Sequence, residues 1–200
     1  MDTKQAYNKI AGDYARDHQH DLWDTGLTNN FVKLLPPHAK VLDVGCGPGK
    51  ETAFLVSQDF DVIGIDFSQS MVQEAKKRVP QGNFMVMDMR QLTFPADTFD
   101  GILAKACLLH IPKTEVPPVI AGFHKILKIH GFLYLTIKQG TGEQVVTEND
   151  YGYEYSRFFS FFTKAEMEQM LIQTGFTIKH FDTWKSSSGT PWLRFLVQKR

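Results

Sequence analysis

The segment Val41-Leu42-Asp43-Val44-Gly45-Cys46-Gly47-Pro48-Gly49 holds the residues whose types and spacing best suit chemistry. An apolar run carries an acidic residue and breaks into glycines at alternate positions, and a helix-forming run over 50–57 follows at once. Glycine lets backbone amides approach a ligand with no Cβ in the way, and it tolerates positive φ. A strand, a glycine turn and a helix N-terminus in that order cradle a nucleotide-like cofactor. The spacing narrows the choice. A dinucleotide fingerprint needs Gly-x-Gly-x-x-Gly, whereas here Lys50 occupies the sixth position after Gly45-x-Gly47-x-Gly49. Asp43, two residues before Gly45, is unhelpful beside a pyrophosphate and suits a cofactor with a positive charge. Both features count against NAD or FAD.

Residues of this kind need a sheet to hold them. Short apolar runs at 41–44, 62–65, 84–87, 101–104 and 132–137 read as strands buried on both faces, as in a parallel sheet. Helical segments separate them. Ser68 is placed to cap a helix carrying Met71, Val72, Ala75 and Val79, with Lys76, Lys77 and Arg78 in its last turn and Pro80 as its stop. Pro117-Pro118 opens another helix, with Gly131 just beyond its end. Thr163-Lys164-Ala165-Glu166 is a capping box, Phe162 and Met167 form a hydrophobic staple, and Gly175 ends that helix. Two last strands, 176–184 and 192–198, leave no room for a helix between them and must be antiparallel. The expected architecture is α/β: a Rossmann-like, mostly parallel sheet of seven strands with an antiparallel C-terminal hairpin and helices on both faces.

Two regions stand outside the alternation. Residues 1–37 read as helical padding or a lid. Tyr7, Ile10 and Tyr14 share one helical face, and Leu22, Trp23, Leu27, Phe31 and Leu34 follow in a second helix that Pro36-Pro37 ends. Residues 139–162 form an aromatic insert, long for a loop, with Tyr151, Tyr153, Tyr155, Phe158, Phe159 and Phe161 around Arg157.

The 200 residues suit one domain, 1–200. Lys plus Arg and Asp plus Glu are equal at 22 each, which removes the electrostatic argument for nucleic-acid or membrane-surface binding. Cys46 and Cys107 form no disulfide framework or zinc pattern. The N-terminus lacks an apolar signal core, and no apolar run would span a bilayer. A cytoplasmic protein, monomer or homodimer, is expected.

Leu42 to Gly49 resembles the first motif of class I S-adenosylmethionine-dependent methyltransferases. The resemblance continues in register. Val62 to Ser68 resembles the second motif, Met87-Asp88-Met89 the third, and Phe94 to Asp100 the approach to strand four. Leu108 to Pro112 resembles the segment after it, and Leu127 to Gly131 the approach to strand five, with Ile129-His130 as a departure. The resemblance implies S-adenosylmethionine as cofactor. It implies Asp66 over the ribose, Phe67 and Met71 as an adenine wall, Asp88 at the adenine amine and Met89 over the ring. Gly45, Cys46 and Gly47 would face the methionine end, Asp43 would bind there through hydrogen bonds or the field it sets up, and Lys105 and Tyr14 complete the cofactor-facing set. Each has a plainer reading: Asp66 as a helix cap, Asp88 as the opening of a turn, Asp43 as a partner for loop amides, Phe67 and Met71 as core.

Methyl transfer from a sulfonium is a direct displacement that needs alignment and exclusion of water. It needs a base only where the acceptor must first lose a proton. His110 is the candidate base, or else a turn histidine. Cys107 reads as packing. Tyr7 and Arg157 are candidate substrate contacts, or else core packing and an ion pair. Asp17, His18 and His20 have loose metal-ligand spacing, which a charged helix end explains, so no metal is expected. The expected acceptor is a small molecule. The alternatives are a non-catalytic S-adenosylmethionine-binding regulator or subunit and, further off, a nucleotide-dependent dehydrogenase.

Overall fold

The computed structural model describes residues 2–18, 25–186 and 189–200. His20, Leu22, Trp23, Ser187, Ser188 and the side chain of Leu27 lie outside them. The elements run α1 (Thr3–Asp17), α2 (Thr25–Lys33), β1 (Lys40–Val44), α3 (Lys50–Ser57), β2 (Asp61–Asp66), α4 (Gln69–Arg78) and β3 (Asn83–Val86). Then come β4 (Phe99–Lys105), α5 (Val116–Ile126), β5 (Leu127–Lys138), β6 (Glu143–Glu148), β7 (Tyr155–Ser160), α6 (Lys164–Gln173), β8 (Phe176–Lys185) and β9 (Pro191–Lys199). The main sheet has seven strands in the order β3-β2-β1-β4-β5-β9-β8. Pairing is parallel from β3 to β5, and β9 runs antiparallel between β5 and β8. The strand order reverses between β1 and β4, the place where such sheets open a crevice at their C-terminal ends.

The period-2 alternation of the strands divides the core. Leu42, Ile63, Ile102, Leu133 and Phe195 pack under α5 and α6. Their neighbours Val41, Val62, Leu103, Tyr134 and Leu196 pack under α2 and α3. Local signals set the helix ends. The Ser68 hydroxyl accepts from the Met71 amide at 3.2 Å. Thr163 and Glu166 close their capping box, and Phe162 and Met167 are fully buried together.

Four expectations need correction. The run at 84–87 is not buried on both faces: β3 is an edge strand whose Met85 and Val86 are 38% and 44% exposed. Apolar content does not separate an edge from a centre when one neighbour is missing. Gly131 does not follow a helix end; α5 passes directly into β5, and Gly131 sits inside that strand against the Asp100 carbonyl. The left-handed residue at this point of β5 is His130, with φ +64°. Leu34 does not lie in the second helix: α2 ends at Lys33, and Leu34 is 44% exposed just beyond it. The aromatic insert is not a loop. Strands β6 and β7 pair antiparallel as a separate two-stranded sheet, Glu143 opposite Ser160 and Glu148 opposite Tyr155.

Candidate functional site

A cavity of about 610 Å³ opens along the C-terminal ends of β1, β2 and β4 and is covered by α1. Its size falls in the range of about 300–1,000 Å³ typical of small-molecule sites. Gly45, Cys46, Gly47, Asp66, Phe67, Met71, Asp88, Met89, Lys105, Tyr14, Tyr7 and His110 all line it. Asp43 and Arg157 do not.

The glycine loop forms the floor. Gly45 has φ +66°, and a Cβ there would stand 2.4 Å from the Cys107 Cβ. Loop and β4 end therefore approach more closely than any side chain allows. Asp66, at the end of β2, ties the loop down: its two carboxylate oxygens accept from the Gly47 amide at 3.0 Å and the Ser68 amide at 2.8 Å. Each oxygen keeps a further lone pair for a ligand. Burial pushes this carboxyl up to about 6, against the two amide bonds that favour its charged form. The Ser68 hydroxyl donates to Asn8 Oδ1 at 2.7 Å, which links the loop after β2 to α1.

Asp43 corrects its expected place. It lies behind the loop, 2% exposed, and accepts from the Thr52 hydroxyl at 2.6 Å. Burial, with the nearby Glu51 charge, pushes its carboxyl up to about 7. Glu51, unlike Asp43, is on the cavity wall. It stands in the first turn of α3 and pairs with Lys105 at 3.0 Å. Burial alone would raise Glu51, but the Lys105 ammonium outweighs it and leaves the carboxyl below its ordinary value. Acidic residues are common at helix starts, so Glu51 carried no distinguishing signal in the sequence.

At the other end Met71 is buried, and Phe67 and Met89 are half-buried. Asp88 opens the turn at Met89–Gln91, accepting from the Arg90 amide at 2.9 Å. It also holds the Arg90 guanidinium at 2.6 Å, and Arg90 reaches on to Glu115 at 2.9 Å. Burial raises Asp88, but the Arg90 bonds prevail and keep its carboxyl below the ordinary value. The plainer reading of Asp88 is thus present in the geometry, beside its place on the cavity wall. The Cys46 and Cys107 thiols are buried, and burial raises both, which leaves them protonated and unreactive.

The roof is an aromatic cluster. Tyr7 meets Tyr14 edge-on at 5.9 Å and Phe67 at 6.1 Å, and Tyr14 stacks on His18 at 3.9 Å. The Tyr7 hydroxyl lies 2.7 Å from His110 Nε2, and His110 Nδ1 lies 2.8 Å from the Phe158 carbonyl. Both ring nitrogens of His110 are engaged. Burial, reinforced by the Arg157 and Lys138 charges, pushes His110 down to about 3, although the Phe158 bond opposes it. Arg157 sits behind the roof: it forks onto Glu148 at 2.6 and 2.5 Å and donates to the Tyr7 hydroxyl at 3.1 Å. Phe158, named in the sequence only as part of the aromatic insert, is on the cavity wall and contributes a backbone carbonyl, which no residue type signals. The hairpin holds α1 at several points. The Thr3 hydroxyl accepts from the Phe158 amide at 2.9 Å, Tyr153 donates to Asp13 at 2.5 Å, and Lys9 donates to the Glu154 carbonyl at 2.8 Å.

Among the described residues no group of three His, Cys, Asp or Glu could hold a metal ion. No helix of the described residues is long and apolar enough to cross a membrane.

Comparison with known proteins bears on this arrangement. Residues 41–131 match a family model described as a methyltransferase domain. The chain is 35% identical over 116 residues to phosphoethanolamine N-methyltransferase 3 of Arabidopsis thaliana, covering 54% of this chain and 23% of that protein. It is 39% identical over 83 residues to trans-aconitate 2-methyltransferase of Rhodopseudomonas palustris (strain BisB5), covering 40% of this chain and 32% of that one. Of the first relatives matched, the chain spans between 22% and 48% of their length. A Methanosarcina mazei protein described as a SAM-dependent methyltransferase has the same fold, with TM-score 0.77 and 22% identity over 90% of this chain and 98% of that one. A Burkholderia thailandensis 1,6-didemethyltoxoflavin-N1-methyltransferase, solved with S-adenosylhomocysteine bound, superposes with TM-score 0.70 and 20% identity over 98% of this chain and 88% of that one. The matched segment, 41–131, holds the glycine loop, Asp66 and Asp88, and over most of the chain the fold is the one these S-adenosylmethionine-dependent methyltransferases share.

Proposed function

We propose that the protein transfers the methyl group of S-adenosylmethionine to a small-molecule acceptor in the cytoplasm. The observation that carries this reading is Asp66. A buried carboxylate holds the glycine loop through Gly47 and the next helix through Ser68, and keeps unused lone pairs beside the cavity. That is the arrangement a ribose diol needs.

The residues fit the cofactor. The missing Cβ at Gly45 lets the loop pack against Cys107 beyond β4, Glu51 and Lys105 would offer one group of each sign to the methionine end, and Met71, Phe67 and Met89 would offer an apolar slot for adenine. S-adenosylmethionine supplies a methyl group on a sulfonium, whose positive charge makes the thioether a ready leaving group. The protein aligns the acceptor with that methyl and excludes water. Tyr7 and Tyr14 act as the inner face of a lid formed by α1, and the β6–β7 hairpin closes the acceptor side. The names of the relatives, which include phosphoethanolamine and trans-aconitate, support a small acceptor.

Titration calorimetry with S-adenosylmethionine, S-adenosylhomocysteine and NAD tests the donor. Binding of both adenosyl compounds is expected. Tight binding of NAD with no response to either would defeat the reading.

A further inference from the structure

We propose that Tyr7 presents a hydrogen-bond acceptor, not a donor, to the acceptor substrate, that His110 is the positioning residue that fixes this polarity, and that the methylated group is therefore an amine. The proposal rests on the methyltransferase reading and extends it to the class of acceptor.

The polarity follows from the partners. A backbone carbonyl can only accept, so His110 Nδ1, 2.8 Å from the Phe158 oxygen, must carry a hydrogen. In the neutral ring Nε2 is then a lone pair, and the Tyr7 hydroxyl 2.7 Å away must donate to it. The Arg157 guanidinium, which cannot accept, donates to the same hydroxyl at 3.1 Å. Tyr7 has thus committed its only proton and one lone pair. What remains for the cavity is its second lone pair. The setting keeps the ring neutral: His110 is buried against Phe159 at 4.9 Å, and the charges facing it, Arg157 and Lys138, are both positive.

A lone pair selects a ligand that brings a hydrogen. A carboxylate brings none and would meet the Tyr7 oxygen with like polarity. An amine N–H satisfies it; a hydroxyl would also, but it must give its hydrogen to a base before attack, and His110, with both nitrogens engaged, is not that base. The wider wall is balanced in charge, with Asp2, Glu51, Asp66 and Asp88 against Lys4, Lys50, Arg90 and Lys105, so the selection rests on the Tyr7 oxygen. Two of these cations are paired on the wall itself, Lys105 with Glu51 and Arg90 with Asp88. The reaction then needs no base from the protein. With S-adenosylmethionine bound, its sulfonium charge would lower the pKa of an incoming amine, whose proton would pass to solvent before attack. The free amine nitrogen gives its lone pair to the methyl carbon as the carbon–sulfur bond breaks, and that bond's electron pair stays on sulfur. The methylated ammonium product then loses a proton to solvent.

Two measurements test this. Nitrogen NMR of the S-adenosylhomocysteine complex labelled at histidine should show His110 with Nδ1 protonated and Nε2 bare from pH 6 to 8. An Nε2–H tautomer or an imidazolium would overturn the polarity. The second is a methyl-transfer assay with S-adenosylmethionine over a panel of small amines and size-matched carboxylic acids. Methylation of an amine is expected, with Tyr7→Phe losing at least tenfold in kcat/KM while S-adenosylhomocysteine affinity stays within twofold. His110→Gln, whose side-chain carbonyl can still accept from Tyr7, should recover part of the activity that His110→Leu loses. Methyl ester formation, or no amine turned over, overturns the acceptor class. If S-adenosylhomocysteine still binds in that case, the donor reading stands; failure to bind it defeats the donor reading instead.

Discussion

At the scale of single residues, the two buried aspartates separate binding from stability. Asp66 accepts from two amides and a ribose diol most strongly when ionised, and burial raises it to about 6. S-adenosylhomocysteine affinity should therefore hold above pH 7 and fall as pH drops through about 6, and calorimetry across that window checks it. Asp66→Ala should weaken binding by about 1–3 kcal/mol through lost hydrogen bonds; unchanged affinity would remove Asp66 from the site. Asp43 behaves differently because it lies behind the loop. Its folded value, about 7, is raised from an ordinary 3.8, so the stability linked to it is fully present below 3.8 and lost as pH rises through 7. Asp43→Asn can keep the bond to Thr52 without the buried charge. It should stabilise the fold on the order of 2–4 kcal/mol above pH 8 and change little near pH 4, as urea unfolding at both values would show. Asp43 looked like a ligand residue in the sequence because its type and its distance from Gly45 are right. Nothing in the sequence says that the side chain turns away from the cavity.

At the scale of elements, the cover over the cavity is a composite of α1 and the β6–β7 hairpin. The joints are the Thr3 hydroxyl on Phe158, Tyr153 on Asp13, and Lys9 on both the Tyr153 ring and the Glu154 carbonyl. If these joints make the two elements move together, loosening one should release the other. Tyr153→Phe removes a bond far from the cavity wall and should leave the fold near its original stability, within about 1 kcal/mol. It should also raise amide hydrogen exchange in both α1 and β6–β7 in the ligand-free protein. Faster exchange in the hairpin alone would show that α1 is held by α4. The hairpin was illegible in the sequence for a physical reason. Strand β6 is exposed along most of its length, so no hydrophobic alternation marks it. Strand β7 buries its ends against α1 and the turn after β4, contacts made only after folding. The helices were legible because their signals are local: Ser68, Thr163 and Glu166 each act within one turn of their own position.

At the scale of the whole molecule, the sheet keeps packing and chemistry at opposite ends of its strands. The C-terminal ends of β1, β2 and β4 carry the cavity residues. Near the start of β4, Gly101 pairs with Val41 and Phe132 and admits α2 so closely that a Cβ would stand 2.8 Å from Phe31 Cζ and 2.9 Å from Leu35 Cδ2. Both contacts are buried side chains with little room to yield, so Gly101→Ala should force α2 outward at a cost of about 1–3 kcal/mol. For a chain of this length that corresponds to a fall of roughly 2–4 °C in melting temperature for each kcal/mol. The cavity should not feel it, because Gly101 lies several residues below Lys105 and touches none of the loop that holds Asp66. The expected outcome is a lower Tm in scanning calorimetry with S-adenosylhomocysteine affinity unchanged. A matched loss of affinity would mean that the strain crosses the sheet to the glycine loop, and that α2 helps to set the position of the floor.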